Sequence, residues 1–206
     1  MKDAQRECPA YQSNFVGRVG LDDEGARAEL AAHLDHVFQD AGGNHILIVC
    51  VGTDRSTGDA FGPIIGSRLA SLPPLSGVEV FGTLDEPVHA VNLVSVLDRI
   101  HNLYSEKPFI VAIDACLGRF EHVGHITLER GALRPGAGVN KTLPEFGDVT
   151  LTGVVNVSGF MEYFVLQNTR LSVVMRMSDI VVDSLRRSLI KHCTKRKVMG
   201  IGLTKA

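Results

Sequence analysis

His45-Ile46-Leu47-Ile48-Val49-Cys50-Val51 runs directly into Gly52-Thr53-Asp54-Arg55-Ser56-Thr57-Gly58-Asp59-Ala60-Phe61-Gly62-Pro63. The first stretch is apolar and β-branched, too short for a buried helix, and bounded by glycine. It reads as a strand buried on both faces. The second is a polar, glycine-rich loop, and Pro63 suits the first turn of a helix. Strand, loop and helix in this order open a βα unit, the building block of a parallel sheet.

The same alternation extends outward on both sides. Residues 22–40 place Leu30, Leu34, Val37 and Phe38 on one helical face, and Ala41-Gly42-Gly43 stops that helix. The helix begun at Pro63 runs to about Ala70 and ends at Leu72-Pro73-Pro74. Residues 78–84 (VEVFGTL) and 109–115 (FIVAIDA) are two further strands. Between them, residues 88–104 form a helix with Leu93, Val96, Leu97, Ile100 and Leu103 on one side. Residues 125–129 alternate and predict a more exposed strand, 131–147 a long loop rich in Gly and Pro, and 149–157 another strand. Two helices follow, over 159–168 and 171–192, the second with the row Val173, Met177, Val181, Leu185, Leu189. Residues 1–20 have no period and predict a loose arm, leaving 21–206 as a single domain. The expected fold is α/β, a three-layer α/β/α domain with a largely parallel central sheet and helices on both faces.

Bulk properties exclude several classes. A net charge of −2 provides no basic field to draw in nucleic acid. The longest apolar run is far too short to cross a membrane, and residues 1–20 hold no signal-peptide core. Cys8, Cys50, Cys116 and Cys193 include no C-x-x-C pair, and no His cluster has zinc-ligand spacing. Cys50 and Cys116, inside or beside apolar runs, read as reduced and buried, so a cytoplasmic location is expected. No signature of a particular oligomeric state is visible.

In an open parallel sheet, ligands bind beyond the carboxyl ends of the strands. The loop Gly52 to Asp59, then Asp85, Glu86 and His89, then Asp114, and finally Asn156 and Ser158 follow successive strands, so acids gather at one edge. Asp114, inside Ile-Val-Ala-Ile-Asp-Ala-Cys, must be paired, hydrogen-bonded or protonated. It is alternatively a structural carboxylate capping a turn at Leu117-Gly118, and Asp59 an acid that stabilises a helix N-terminus. Two converging carboxyl groups cannot both ionise easily, so one holds a proton while the other stays a base, which activates water. The same pair can instead hold a divalent cation, with a histidine such as His89.

Other motifs lead nowhere. Gly52 to Asp59 is not a Walker loop, because Asp59 stands where lysine is required, and Gly136-Ala137-Gly138 does not follow a strand. Ser56, Ser158 and His89 lack a nucleophile elbow. An acid close by raises the pKa of Cys116 and disqualifies it as a nucleophile. Lys141 reads as solvated.

The stretch from Gly52 to Pro63 closely resembles the hallmark of the YyaC-type sporulation proteins of spore-forming bacteria. Gly82-Thr83-Leu84-Asp85-Glu86-Pro87-Val88-His89-Ala90-Val91-Asn92 resembles that family too. So do Ile113-Asp114-Ala115-Cys116-Leu117-Gly118, Pro135-Gly136-Ala137-Gly138-Val139 and Asn156-Val157-Ser158-Gly159-Phe160-Met161-Glu162. The likeness spans roughly residues 45–185. The family is similar to the germination protease, an atypical aspartic-type endopeptidase that degrades spore proteins. That resemblance carries its two catalytic acids onto Asp59, in Asp59-Ala60-Phe61-Gly62-Pro63, and Asp114, in Ile113-Asp114-Ala115. It also implies the hydrogenase-maturation-protease-like (phosphorylase/hydrolase-like) fold. The maturation proteases bind nickel through a Glu, an Asp and a His. Asn156 stands where the histidine is expected, and asparagine is a poor ligand beside imidazole, so no metal and no cofactor is implied. The chain is also considerably shorter than the germination protease.

The resemblance thus implies a sporulation or germination peptidase, in the cytoplasm of the sporulating cell or spore, acting on a peptide or protein such as a spore protein. Asp59 and Asp114 are its expected catalytic pair. Backbone N–H groups between Gly52 and Gly58 are expected to stabilise the oxyanion. Gly52, Thr53, Asp54, Gly58, Asp85, Glu86, His89 and Asn156 are expected to contact substrate. The alternatives are a non-catalytic binding or assembly protein that keeps the fold, and a metal-dependent hydrolase.

Overall fold

The computed structural model describes residues 14–135 and 143–200. In chain order the elements are β1 (Phe15–Gly20), α1 (Ala26–Val37), β2 (Ile46–Cys50), α2 (Phe61–Ala70), β3 (Val78–Phe81), α3 (Leu93–Leu103), β4 (Phe109–Gly118), β5 (His125–Arg130), β6 (Val149–Val157), α4 (Glu162–Gln167) and α5 (Leu171–Val198). The strands form one sheet in the order β1-β5-β6-β4-β2-β3. β3, β2, β4 and β6 are mutually parallel, and β5 runs antiparallel to both β6 and β1.

Strand periodicity divides the sheet's two faces. Ile46, Ile48 and Cys50 of β2 enter one core with Val111 and Ile113 of β4 and the buried side chains of α1, α2 and α5. Leu47 and Val49 point the other way, into a smaller core with Ala112 and with Leu93 and Ile100 of α3. The result is the expected three layers. Burying each such aliphatic side chain contributes roughly 1.5–3 kcal/mol. In α5 the expected row is met by Met177, Val181, Leu185 and Leu189, all buried, while Val173 is partly covered. Buried Ser178, Ser184 and Ser188 lie on the same helix. The Ser178 hydroxyl donates to the Val174 carbonyl at 2.8 Å and that of Ser188 to Asp35 at 2.6 Å. These satisfied hydroxyls let α5 pack against α1 without leaving the buried serines unpaired.

Two contacts seat α2 at the sheet's carboxyl edge. A Cβ on Gly62 would fall 2.1 Å from the Val51 carbonyl oxygen, and one on Gly66 2.0 Å from that of Gly82. Only glycine lets this helix press so closely on the chain leaving β2 and β3.

Several boundaries differ from expectation. The arm over residues 1–20 falls outside the described residues as far as 13, and its end is β1, an edge strand paired with β5. The short run Phe15–Gly20 conceals its strand character because glycines at 17 and 20 break the alternation; a Cβ on Gly17 would lie 2.3 Å from the His33 ring. β5 is not the more exposed strand its alternation suggested: Ile126, Thr127 and Leu128 are all buried between β1 and β6. β3 stops at Phe81, and α3 begins only at Leu93, because Val88 first bridges to Val51 and residues 89–92 make a turn. The resemblance at Gly136 to Val139, Lys141 and Cys8 lie outside the described residues. No described helix is long and apolar enough to cross a membrane.

Candidate active site

β4 does not end at Asp114 but continues to Gly118, alongside β6. β2 is shorter: its last residue, Cys50, pairs with Ile113, and Val51 N–H donates to the Ile113 carbonyl at 2.7 Å. Asp114 therefore sits at the first position of β4 past the end of its neighbour, where the chain from β2 turns into the loop 52–59. Its neighbour Ile113 faces the α1/α2/α5 core, so Asp114 faces the opposite side of the sheet.

The loop closes on itself. Gly52 has φ 143° and donates its N–H to the Val88 carbonyl at 2.8 Å. A Cβ there would lie 2.0 Å from the Asp59 carbonyl oxygen and 2.9 Å from Pro63 Cδ. Thr53 N–H reaches that same Asp59 carbonyl at 3.2 Å, so the two ends of the loop are pinned together and Asp59 is delivered to the start of α2. Gly58 N–H donates to the Leu166 carbonyl of α4 at 2.9 Å, which fixes the loop's far side.

Both acids are perturbed in the same direction. Asp114 keeps a little solvent contact yet is wrapped in protein, and burial pushes its carboxyl up to about 8. The Ala115 N–H, donating to Asp114 Oδ1 at 2.8 Å, opposes that rise, and the charge of Asp59 adds to it. Asp59 is raised by its own burial and held back by the Ser56 hydroxyl beside it. That hydroxyl is itself buried and falls short of a well-formed hydrogen bond to any described protein group. Burial thus raises both carboxyl groups and Asp114 feels the charge of Asp59, the condition under which one of two neighbouring acids keeps its proton. Asp114 caps no turn, since Leu117 and Gly118 are strand residues, while Asp59 makes no capping bond but stands one residue before Ala60, the N-cap of α2, where its charge also favours the helix.

The other expected contacts are distributed around this pair. Asp54 is exposed on the loop, within 3.5 Å of the Thr53 hydroxyl. Asp85 and Glu86 are exposed on a turn closed by Thr83 N–H to the Glu86 carbonyl at 3.1 Å, and no hydrogen bond joins them to Asp59 or Asp114. His89 accepts the Val91 N–H on Nδ1 at 3.3 Å, a local turn contact. Asn156 is committed elsewhere: its amide donates to the Val165 carbonyl and the Thr169 hydroxyl, both at 3.2 Å, and its oxygen accepts the Val157 N–H at 2.9 Å. It ties β6 to the α4–α5 junction. The loop amides expected to meet an oxyanion are also largely occupied, because Gly52, Thr53, Arg55 and Gly58 all donate within the protein. Among the described residues no group of three His, Cys, Asp or Glu side chains stands ready to hold a metal ion, so Asp59, Asp114 and His89 do not form that set.

The sequence reading overlooked Thr152, the register partner of Asp114, and set Ser56 aside for want of a nucleophile elbow. The clue to Thr152 was the alternation Val-Thr-Leu-Thr in β6, which puts two threonines on the face opposite the core. Cys116 shares that face. Burial, then the Asp114 charge, pushes its thiol up to about 11, which leaves it un-ionised and a poor nucleophile. Cys50, Cys116 and Cys193 are free thiols.

The chain is 49% identical over 167 residues to the uncharacterized protein YyaC of Bacillus subtilis (strain 168), covering 81% of this chain and 80% of that one. Its backbone is similar to the crystal structure of a NiFe hydrogenase maturation protease, HycI from Thermococcus kodakarensis KOD1. The TM-score is 0.46 at 18% identity, over 74% of this chain and 98% of that one. Residues 18–184 match the family described as "Protein of unknown function (DUF1256)", and the chain belongs to that family.

Proposed function

We propose that the protein is a peptide-bond hydrolase with a two-aspartate site, acting on spore proteins in the cytoplasm during sporulation or germination. The observation that carries the reading is the pair itself: Asp114, raised to about 8 by burial and by Asp59, stays protonated at neutral pH beside an acid whose charge Ser56 supports. The division of labour follows. Ionised Asp59 takes a proton from the attacking water, while the Asp114 proton is donated toward the scissile carbonyl oxygen as it gains charge. With four loop amides already committed, Asp114 replaces them as the main oxyanion donor. As the tetrahedral intermediate collapses, the proton held by Asp59 passes to the leaving amine, and Asp114 recovers its own. The sporulation setting rests on the motif resemblance from Gly52 to Pro63 and around Asp114.

The test is incubation with spore proteins and a synthetic peptide library, read by mass spectrometry, for wild type, Asp59→Asn and Asp114→Asn. Wild type is expected to cleave and both variants to be inactive while folded. Near wild-type turnover in either folded variant sinks the dyad.

A second reading, a non-catalytic binding protein, draws on a different feature. Phe120, Phe160, Tyr163 and Phe164 are exposed around the carboxyl ends of β4 and β6, where a partner would cover them. An absence of cleavage by wild type across that screen favours it.

A further inference from the structure

The sheet carries a polar row that begins at the site. Asp114 pairs with Thr152 of β6, Thr152 with Thr127 of β5, and Thr127 with Arg18 of β1. Register partners project to one side of a sheet. Here that side is opposite the α1/α2/α5 core, because the flanking Ile113, Leu151, Ile126 and Val19 all enter that core. Helix α3 lies on the same side but packs over β2 and the start of β4. Among the described residues none of the buried side chains of the smaller core belongs to β6, β5 or β1, although α4 and the short turn Phe120–His122 both contact β6.

The far end of the row is cationic. Arg18 is exposed, donates Nε–H to the Thr127 hydroxyl at 3.0 Å, and has Nη1 3.5 Å from His122 Nε2. The His122 and His125 rings meet edge-on at 5.8 Å. Arg18 has no carboxylate at ion-pair distance among the described residues. The acid of this face, Glu129, stands two residues from Thr127 on β5, away from His125. The influence of Arg18 reaches inward, since its charge acts on the Cys116 thiol together with the opposing charges of Asp114 and Glu129. Three strand-to-strand steps of about 4.8 Å separate Asp114 from Arg18, roughly 14 Å in all, the length of about four residues of extended peptide.

We propose that this row is the substrate track of the two-acid site: an extended peptide lies across β4, β6, β5 and β1 with its scissile bond at Asp59 and Asp114, and Arg18, flanked by His122 and His125, holds a carboxylate about four residues from the cut. The half-buried Thr152 hydroxyl supplies a hydrogen bond to the peptide between these points, while buried Thr127 holds the Arg18 side chain in place, and the carboxylate is either an acidic side chain or the peptide's own C-terminus. The proposal rests on the peptidase reading for the cut but not for the binding.

The test uses synthetic decapeptides in which one glutamate is moved through every position, each made with a free and an amidated C-terminus, and matched peptides with glutamine in its place. Wild type is expected to favour peptides with a carboxylate three to five residues from the cut by roughly ten-fold in kcat/KM, the scale of one charge-assisted contact. The two termini tell a side chain from a chain end. Arg18→Ala should erase that preference through KM, bringing the glutamate peptides down to the level of the glutamine ones. Arg18→Glu should turn it toward lysine, an inversion that mere loosening of β1 does not produce. The same peptides are also titrated onto the Asp114→Asn protein, which separates binding from cleavage. Glutamate- and Arg18-dependent binding without cleavage by wild type keeps the track and removes the peptidase. Cleavage or binding indifferent to glutamate and to Arg18, or no binding at all, overturns the track.

Discussion

Asp114→Asn should raise the stability of the protein near neutral pH while removing hydrolysis. The carboxyl ordinarily ionises near 3.8 and here is pushed up to about 8, first by burial and also by the Asp59 charge, against the pull of the Ala115 N–H. In that window the unfolded chain has lost this proton and the folded chain still holds it. The unfolded state therefore binds fewer protons, and stability falls as pH rises from about 4 to about 8. The slope is ~1.4 kcal/mol per pH unit. At pH 7 the accumulated cost has an upper limit of about 4 kcal/mol, and the remaining solvent contact brings it to about 2–4 kcal/mol. Asparagine has no proton to lose, yet its oxygen can still accept from Ala115. The variant should match wild type near pH 4 and exceed it by about 2–4 kcal/mol at pH 7, a rise of roughly 5–15 °C in Tm. Urea unfolding at four pH values between 4.5 and 7.5, with cleavage rates on the same samples, measures both. Parallel pH curves for the two proteins would refute the reasoning, as would an Asn variant less stable at pH 7 whose activity falls only as it unfolds. Either result would mean an ionised, structural Asp114.

Gly52→Ala places a Cβ 2.0 Å from the Asp59 carbonyl oxygen at a φ of 143°, so the loop cannot close. A loss of about 2–4 kcal/mol and of cleavage is expected, and a melting curve close to wild type contradicts this. Ser56→Ala removes the hydroxyl that holds Asp59 down, so the acidic limb of the pH–activity profile should move to higher pH, with Ser56→Thr restoring it. An unmoved limb means that Ser56 does not support the base. Asn156→Leu removes the amide's bonds to the Val165 carbonyl and the Thr169 hydroxyl, which keep only their bond to each other, at a cost of about 1 kcal/mol. Hydrogen exchange over 162–169 should then quicken, and unchanged exchange rules out Asn156 as the tie.

What could be read from the residues tracks how local the physics is. The strands at 46–50 and 109–118 announce themselves because burial on both faces demands an unbroken apolar run, and only their ends are uncertain. β1 escaped because its strand character comes from the partner β5, with glycines at 17 and 20 interrupting its own pattern. β5 looked half-exposed because its alternation is genuine, but the face it shows to Arg18 and Thr152 is polar rather than wet.

The candidate site divides in the same way. Asp59 and Asp114 were legible since each follows or sits in a buried strand of a parallel sheet, and topology alone sends such residues to one edge. Their separation was not, because it depends on β2 ending opposite Ile113 while β4 runs on. Asn156 misled for a related reason: its place in the chain matched a ligand position, while its amide was taken up by α4, whose docking no local pattern encodes. The row from Asp114 to Arg18 is the extreme case. Its four members are scattered from residue 18 to residue 152, and only the strand order β1-β5-β6-β4 lines them up. The two proposed catalytic acids can thus be picked out from the strands that carry them. The proposed substrate row emerges only once register is known, because its members are spread across strands while each acid's burial is set within one.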